Sequence, residues 1–257
     1  MNYNFDFEGK SVLITGAASG IGLESTVAFL QNGAKVYMAD YNEAQLSEKA
    51  EALRKEYGEE KVVALVADIT DNDSVKAMAD SIKAVGGTVD ILINNAGMSH
   101  QQYSIYEKQE DWNKVINLNL TAQFFVAQTI ANEFFVPVKK GKIVNMCSLG
   151  GLLGIPSAVA YSASKGGVLQ MTKSLACEWA RFGINVNAVC PGFVDTPLIA
   201  DNKADERWLG YMTMRTPFKR LANPDDVAGS VIFLASDMAD FITGASLVID
   251  GGFSSGS

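Results

Sequence analysis

The chain has a single histidine, His100, and this argues against both a Ser-His-Asp relay and a multi-histidine metal centre. Its three cysteines, Cys147, Cys177 and Cys190, are odd in number, far apart and without the spacing of metal ligands. They suit a reduced, cytoplasmic setting rather than a disulfide framework. No apolar run reaches the roughly 18 residues of a membrane helix. The opening segment, 1–10, is polar and acidic, with neither the basic start nor the apolar centre of a signal peptide. Basic residues are also in deficit: 21 Lys and Arg against 29 Asp and Glu leave a net charge of −8. Nucleic acid requires a basic footprint and is excluded as a partner.

The 257 residues, nearly half of them apolar, are enough to bury a large core without staples. Short apolar runs at 10–15, 35–40, 61–67, 89–94, 141–147, 184–190 and 246–250 read as buried strands. Amphipathic stretches at 22–32, 43–57, 74–85 and 225–235 separate them. Strands alternating with helices imply βαβ units, and hence a parallel sheet covered on both faces. No linker or repeat interrupts the pattern, so one α/β domain spanning 1–257 is expected. Only 192–216, bounded or broken by Pro191, Pro197 and Pro217, falls outside the alternation. It is too long for an ordinary connection, and 193–216 is expected to be a loop-like substrate lid.

The first strand runs straight into Thr15-Gly16-Ala17-Ala18-Ser19-Gly20-Ile21-Gly22, and a helix follows. Glycines there permit a tight turn and let backbone N–H groups approach a pyrophosphate at the positive end of the helix. The second strand ends in Asp40. A carboxylate at that point can accept hydrogen bonds from the ribose hydroxyls of NAD and would repel the 2′-phosphate of NADP. No arginine or lysine in the glycine loop offsets that repulsion, so NAD is the expected cofactor. The alternative is that Asp40 caps the helix beginning near Asn42.

Tyr161 and Lys165 form Tyr-x-x-x-Lys on one face of an expected helix. A free tyrosine, with a pKa near ~10, is a poor base at neutral pH. A nearby ammonium favours the phenolate, so Tyr161 could exchange a proton with a substrate hydroxyl. Ser148, just past the strand at 141–147, could hold the substrate oxygen. Asn94-Asn95-Ala96-Gly97 closes the fourth strand with small and amide residues, suiting a close approach to a cofactor. Asn119 lies in a strongly apolar helical stretch, where an amide needs partners. It either caps or kinks the helix, or holds a buried water near Lys165.

Taken together, TGAASGIG at 15–22, Asp40, Ala67-Asp68-Ile69, NNAG at 94–97, Asn119, Ser148, YSASK at 161–165, Pro191-Gly192 and Thr196 resemble the short-chain dehydrogenase/reductase family over nearly the whole chain. The resemblance implies an extended Rossmann sheet of seven parallel strands and an Asn-Ser-Tyr-Lys tetrad at Asn119, Ser148, Tyr161 and Lys165. Tyr161 would be the general acid/base and Ser148 would orient the substrate. Lys165 would lower the Tyr161 pKa and bind the nicotinamide ribose, and Asn119 would hold a relay water. Gly16, Ser19, Gly20, Ile21, Gly22 and Asp40 would bind the cofactor, with Asp68 and Ile69 at the adenine. Asn95, Ala96 and Gly97 would line it, and Pro191, Gly192, Val194 and Thr196 complete the set, Thr196 at the carboxamide. A homotetramer is implied, with subunit contacts from the helices after Tyr106 and Ser157.

The function expected is hydride transfer between NAD(H) and a secondary alcohol–ketone pair. Trp208-Leu209 and Arg215-Thr216-Pro217 resemble relatives acting on sugar acids and polyols, such as gluconate 5-dehydrogenases. Lys203, Arg207 or Arg215 could supply a carboxylate-binding cation, or be solvated charges. A 3-oxoacyl-thioester reductase, a hydroxysteroid dehydrogenase and a non-catalytic NAD-binding regulator stand as alternatives.

Overall fold

The computed structural model describes residues 5–256, apart from the side chains at 201 and 202; residues 1–4 of the acidic opening segment lie outside the described residues. Seven strands form one sheet: β1 (Ser11–Thr15), β2 (Lys35–Asp40), β3 (Val62–Val66), β4 (Ile91–Asn94), β5 (Gly141–Met146), β6 (Ile184–Pro191) and β7 (Ser246–Ile249). Their order is β3-β2-β1-β4-β5-β6-β7, and every pairing is parallel. Each strand falls within two residues of its expected place. The largest difference is at β4, which begins at Ile91. The Asp90 carboxylate, just before it, accepts the Ser11 N–H and ends the ladder there.

Alternation along β1 divides the core in two. Val12 and Ile14 face one side of the sheet with Val36 and Met38, and Leu13 faces the other with Tyr37 and Ala39. The first face is covered by α1 (Gly20–Gln31), α2 (Glu43–Tyr57) and α9 (Pro224–Ala235), which contribute Phe29, Leu46 and Val231. On the second lie α3 (Asn72–Ala84), α5 (Gln123–Ile130) and α6 (Val159–Trp179), contributing Met78, Ile130 and Leu175. Side chains of this size each contribute roughly 1.5–3 kcal/mol on burial.

The apolar stretch around Asn119 is more irregular than its sequence suggests. After α4 (Gln109–Ile116) the helix widens to π geometry at Asn117–Ala122, continues as α5, and widens again at Ala131–Phe135. The 192–216 segment departs from the loop expected there. It contains a turn at Pro197–Ile199, then α7 (Ala200–Lys203) and α8 (Glu206–Arg215). The Asp205 carboxylate caps α8 by accepting the Arg207 and Trp208 N–H groups. No residue of α8 is fully buried; its apolar stripe, Trp208, Leu209 and Met212, is half-buried. Among the described residues, no helix is long and apolar enough to cross a membrane.

Strand order reverses between β1 and β4, opening a crevice beyond the carboxyl ends of the strands. The candidate site occupies it.

Candidate active site

A cavity of about 370 Å³ runs along that crevice. It is lined by Gly16, Ser19, Gly20, Ile21, Asp40, Asp68, Ile69, Asn95, Ala96, Gly97, Ser148, Tyr161, Lys165, Pro191, Gly192, Val194 and Thr196. Of the residues singled out in the sequence, Gly22 and Asn119 stand behind the wall.

At one end β1 delivers Thr15 to the glycine turn. The buried Thr15 hydroxyl accepts the N–H groups of Asn95 at 3.0 Å and Ala96 at 3.1 Å. The Asn95 amide donates back to the Thr15 carbonyl at 2.9 Å and the Gly16 carbonyl at 3.2 Å. The glycine loop and NNAG are thereby laced together. Gly16 has φ +64°, and a Cβ on it would lie 2.9 Å from the Ala96 backbone. A Cβ on Gly22 would sit 2.1 Å from the Gly16 carbonyl oxygen. The cradle closes only because these side chains are missing, and the N-terminus of α1 opens directly onto it.

Asp40, 9 % exposed, ends β2 at the rim of the cradle. Its two oxygens accept the Ala18 N–H at 3.1 Å and the Asn42 N–H at 3.0 Å. The residue capping α2 is Asn42, which accepts from Gln45. Asp40 therefore fixes the glycine loop relative to β2 and still presents its carboxylate to the cavity. Tyr41, Asn42 and Gln45 line the same end, a contribution that sequence motifs did not single out. Asp68 holds a local turn by accepting from Thr70, and Ile69 is buried beside it.

At the other end Ser148 follows β5 and accepts the Gly150 N–H at 3.0 Å. Helix α6 carries Tyr161 and Lys165 into the same wall. Lys165, 3 % exposed, donates to the Met146 carbonyl at 2.8 Å, and its ammonium lies 5.8 Å from the centre of the Tyr161 ring. Asn119 uses its whole amide on neighbours. It accepts the Met98 N–H at 2.8 Å and donates to the Met98 carbonyl at 2.9 Å and to the Ser164 hydroxyl at 3.1 Å. It is neither a helix cap nor an orphaned amide; from within a π segment it clamps the chain next to Gly97. Such segments concentrate at functional sites. Thr196 packs its methyl 3.3 Å from where a Gly20 Cβ would be, bridging β6 and the glycine loop.

A family model described as enoyl-(acyl carrier protein) reductase matches residues 16–254. The chain belongs to the short-chain dehydrogenase/reductase family. It is 40 % identical over 245 residues to a 3-oxoacyl-(acyl-carrier-protein) reductase of Thermotoga maritima, covering 95 % of this chain and 98 % of that one. It is 34 % identical over 254 residues to a 5-keto-D-gluconate 5-reductase of Escherichia coli, covering 98 % of both. A gluconate 5-dehydrogenase of Burkholderia cenocepacia, solved with NADP and tartrate, superposes with a TM-score of 0.94 at 34 % identity, covering 98 % of both chains. As a short-chain dehydrogenase/reductase, the protein is an oxidoreductase of CH–OH groups, and its family uses a nicotinamide cofactor. The cradle fits that group: a glycine-lined recess faces the N-terminus of α1, with the Asp40 carboxylate at its rim.

Electrostatics in this short-chain dehydrogenase/reductase differ from the expectation in one respect. Burial raises the Tyr161 phenol above its ordinary value, with only Ser148 hydrogen bonding acting against it. Burial also lowers Lys165, to about 8. The ammonium lies near the ring, but its hydrogen bond is to a carbonyl on β5.

The three cations considered for a substrate carboxylate all lie off the cavity wall. Lys203 is paired with Asp195 at 2.5 Å. Arg207 is exposed on α8. Arg215 stacks on Phe253, its guanidinium 4.6 Å from the ring centre. His100 sits 3.6 Å from the Glu107 carboxylate and is not part of the wall either.

Proposed function

We propose that the protein interconverts a secondary alcohol and its ketone using NAD(H), with Tyr161 as the general acid/base. The carrying observation is that Ser148, Tyr161 and Lys165 share one wall of a cavity whose far end is the glycine cradle and Asp40. When bound, the nicotinamide supplies the hydride acceptor or donor. Ser148 holds the substrate oxygen against the phenol. Tyr161 takes the hydroxyl proton during oxidation and returns it during reduction. Lys165 places its charge beside the phenol and would bind the nicotinamide ribose. Asn119, by clamping Met98, fixes Gly97 between itself and Lys165.

Gly16, Ser19, Gly20, Ile21 and Gly22 would cradle the pyrophosphate, Asp68 and Ile69 the adenine, and Asn95 to Gly97 with Pro191, Gly192, Val194 and Thr196 the nicotinamide half. NAD is favoured over NADP because the Asp40 carboxylate stands at the ribose end with no lysine or arginine lining that part of the cavity among the described residues.

Residues 193–216, now helical, would act as the substrate lid of a single-domain, cytoplasmic homotetramer. A sugar acid or polyol is the substrate class suggested by the gluconate relatives. The thioester-reductase reading is favoured by the Thermotoga maritima relative.

Tyr161→Phe is expected to lower kcat by about 10²- to 10⁴-fold while NADH binding, followed by fluorescence, stays within twofold. Retained turnover would remove Tyr161 from its role. Asp40→Ala is expected to shift the ratio of kcat/KM for NADP over NAD upward at least tenfold. An unchanged ratio would mean that another group reads the ribose.

A further inference from the structure

Much of the cavity wall is apolar. Leu149, Ile155, Phe193, Leu198, Ile199 and Trp208 all line it. Ile155 and the Tyr161 ring both approach Gly150, at 3.1 and 3.2 Å from where its Cβ would be, so this wall begins beside the reacting phenol. Its polar members on the NNAG side are Ser99 and Gln101, groups that hydrogen-bond but carry no charge. Among the described residues lining the cavity, Lys165 is the one cationic side chain, and one of its three donors goes to the Met146 carbonyl.

Arg215 explains how the wall is held. Trp208 and Arg215 are seven residues apart on α8, hence on one face of the helix. Trp208 meets Phe193 edge-on with ring centres 5.4 Å apart, and Phe193 meets Phe253 edge-on at 5.3 Å. The Arg215 guanidinium stacks on Phe253 at 4.6 Å and donates to the Tyr211 hydroxyl at 3.5 Å. Neither Arg215 nor Phe253 lines the cavity, whereas Phe193, which packs on Phe253, does. Arg215 braces an aromatic wall and does not face the substrate.

A carboxylate brought into such a site would lose its water without gaining a charged partner, a cost that hydroxyl and amide groups offset only in part. On the reading of Tyr161 and Ser148 given above, we infer that the substrate is uncharged next to its carbinol carbon and presents an apolar face there, as a cyclic or branched secondary alcohol, its ketone or a keto ester does. Any sugar acid whose carboxylate would lie against this part of the wall falls outside this class. Arg215 is then a positioning residue for Trp208.

The test is reduction by NADH of matched pairs that differ only in charge: methyl 4-oxocyclohexanecarboxylate against its free acid, and ethyl acetoacetate against acetoacetate. The neutral member is expected to have at least tenfold higher kcat/KM. Arg215→Met should raise KM for both members by the same factor, with NADH affinity unchanged. Phe253→Ala should do likewise and also shift the fluorescence of Trp208. Preference for the acids, or a loss in Arg215→Met confined to the acids, would overturn the inference and leave the enzyme reading intact. Failure of the wild-type protein to bind NADH would overturn the enzyme reading itself.

Discussion

Lys165 shows how much one buried cation costs this fold. Unfolded, a lysine has a pKa near ~10.4, whereas burial holds Lys165 at about 8. Below pH 8 the folded chain must keep an ammonium in a dry site, a cost the unfolded chain does not bear. Between about 8 and ~10.4 the unfolded state holds more protons, so stability rises with pH across that window. Lys165→Met is therefore expected to raise Tm by a few degrees at pH 7, and the gain should shrink by pH 10.5 as the wild type sheds its own charge. Thermal unfolding at the two pH values checks this. A lower Tm at pH 7 would mean that the hydrogen bond to Met146 outweighs the desolvation. Tyr161 and Lys165 were legible in the sequence because a spacing of four on a helix fixes their common face. The direction of their pKa shifts was not legible, since burial dominates both groups and depends on how α6 packs against β5. Gln101, Ile155 and Phe253 were illegible for a related reason: each joins the site or its wall through tertiary packing, with no motif around it.

Among the elements, the strands and the helices that cover them were the readable part. Period-two alternation in β1 and apolar stripes on α1, α2, α3 and α9 follow from simple geometry. The π segments and the short helices of 197–215 escaped. The π segments leave no compositional trace, because one extra residue per turn shifts the phase without changing the residue types. Helix α8 escaped because it is short and lies between Pro197 and Pro217, which made the whole segment read as a loop despite the half-buried stripe of Trp208, Leu209 and Met212. The junction between β1 and α1 is the element whose failure is simplest to foresee. In Gly22→Ala the new methyl would meet the Gly16 carbonyl oxygen at 2.1 Å and the Asn95 amide at 2.6 Å. Backbone atoms cannot turn aside as a side-chain end can, so the loop must open. The expected result is a Kd for NADH at least tenfold weaker, accompanied by a lower Tm. An unchanged Kd would show that the cradle tolerates a wider turn.

At the scale of the whole molecule, β1 is flanked by β2 on one side and β4 on the other. Residues 11–15 leave the ribosome well before 91–94, with α1, β2, α2, β3 and α3 made in between. During that interval a nascent chain can pair β1 with β2 and β2 with β3, yet the opposite edge of β1 stays bare. Unpaired strand edges in partly made chains invite pairing with the wrong partner. The crevice that comes to hold the cofactor opens along that seam, so the part of the sheet that carries function is also the part left unguarded longest during synthesis.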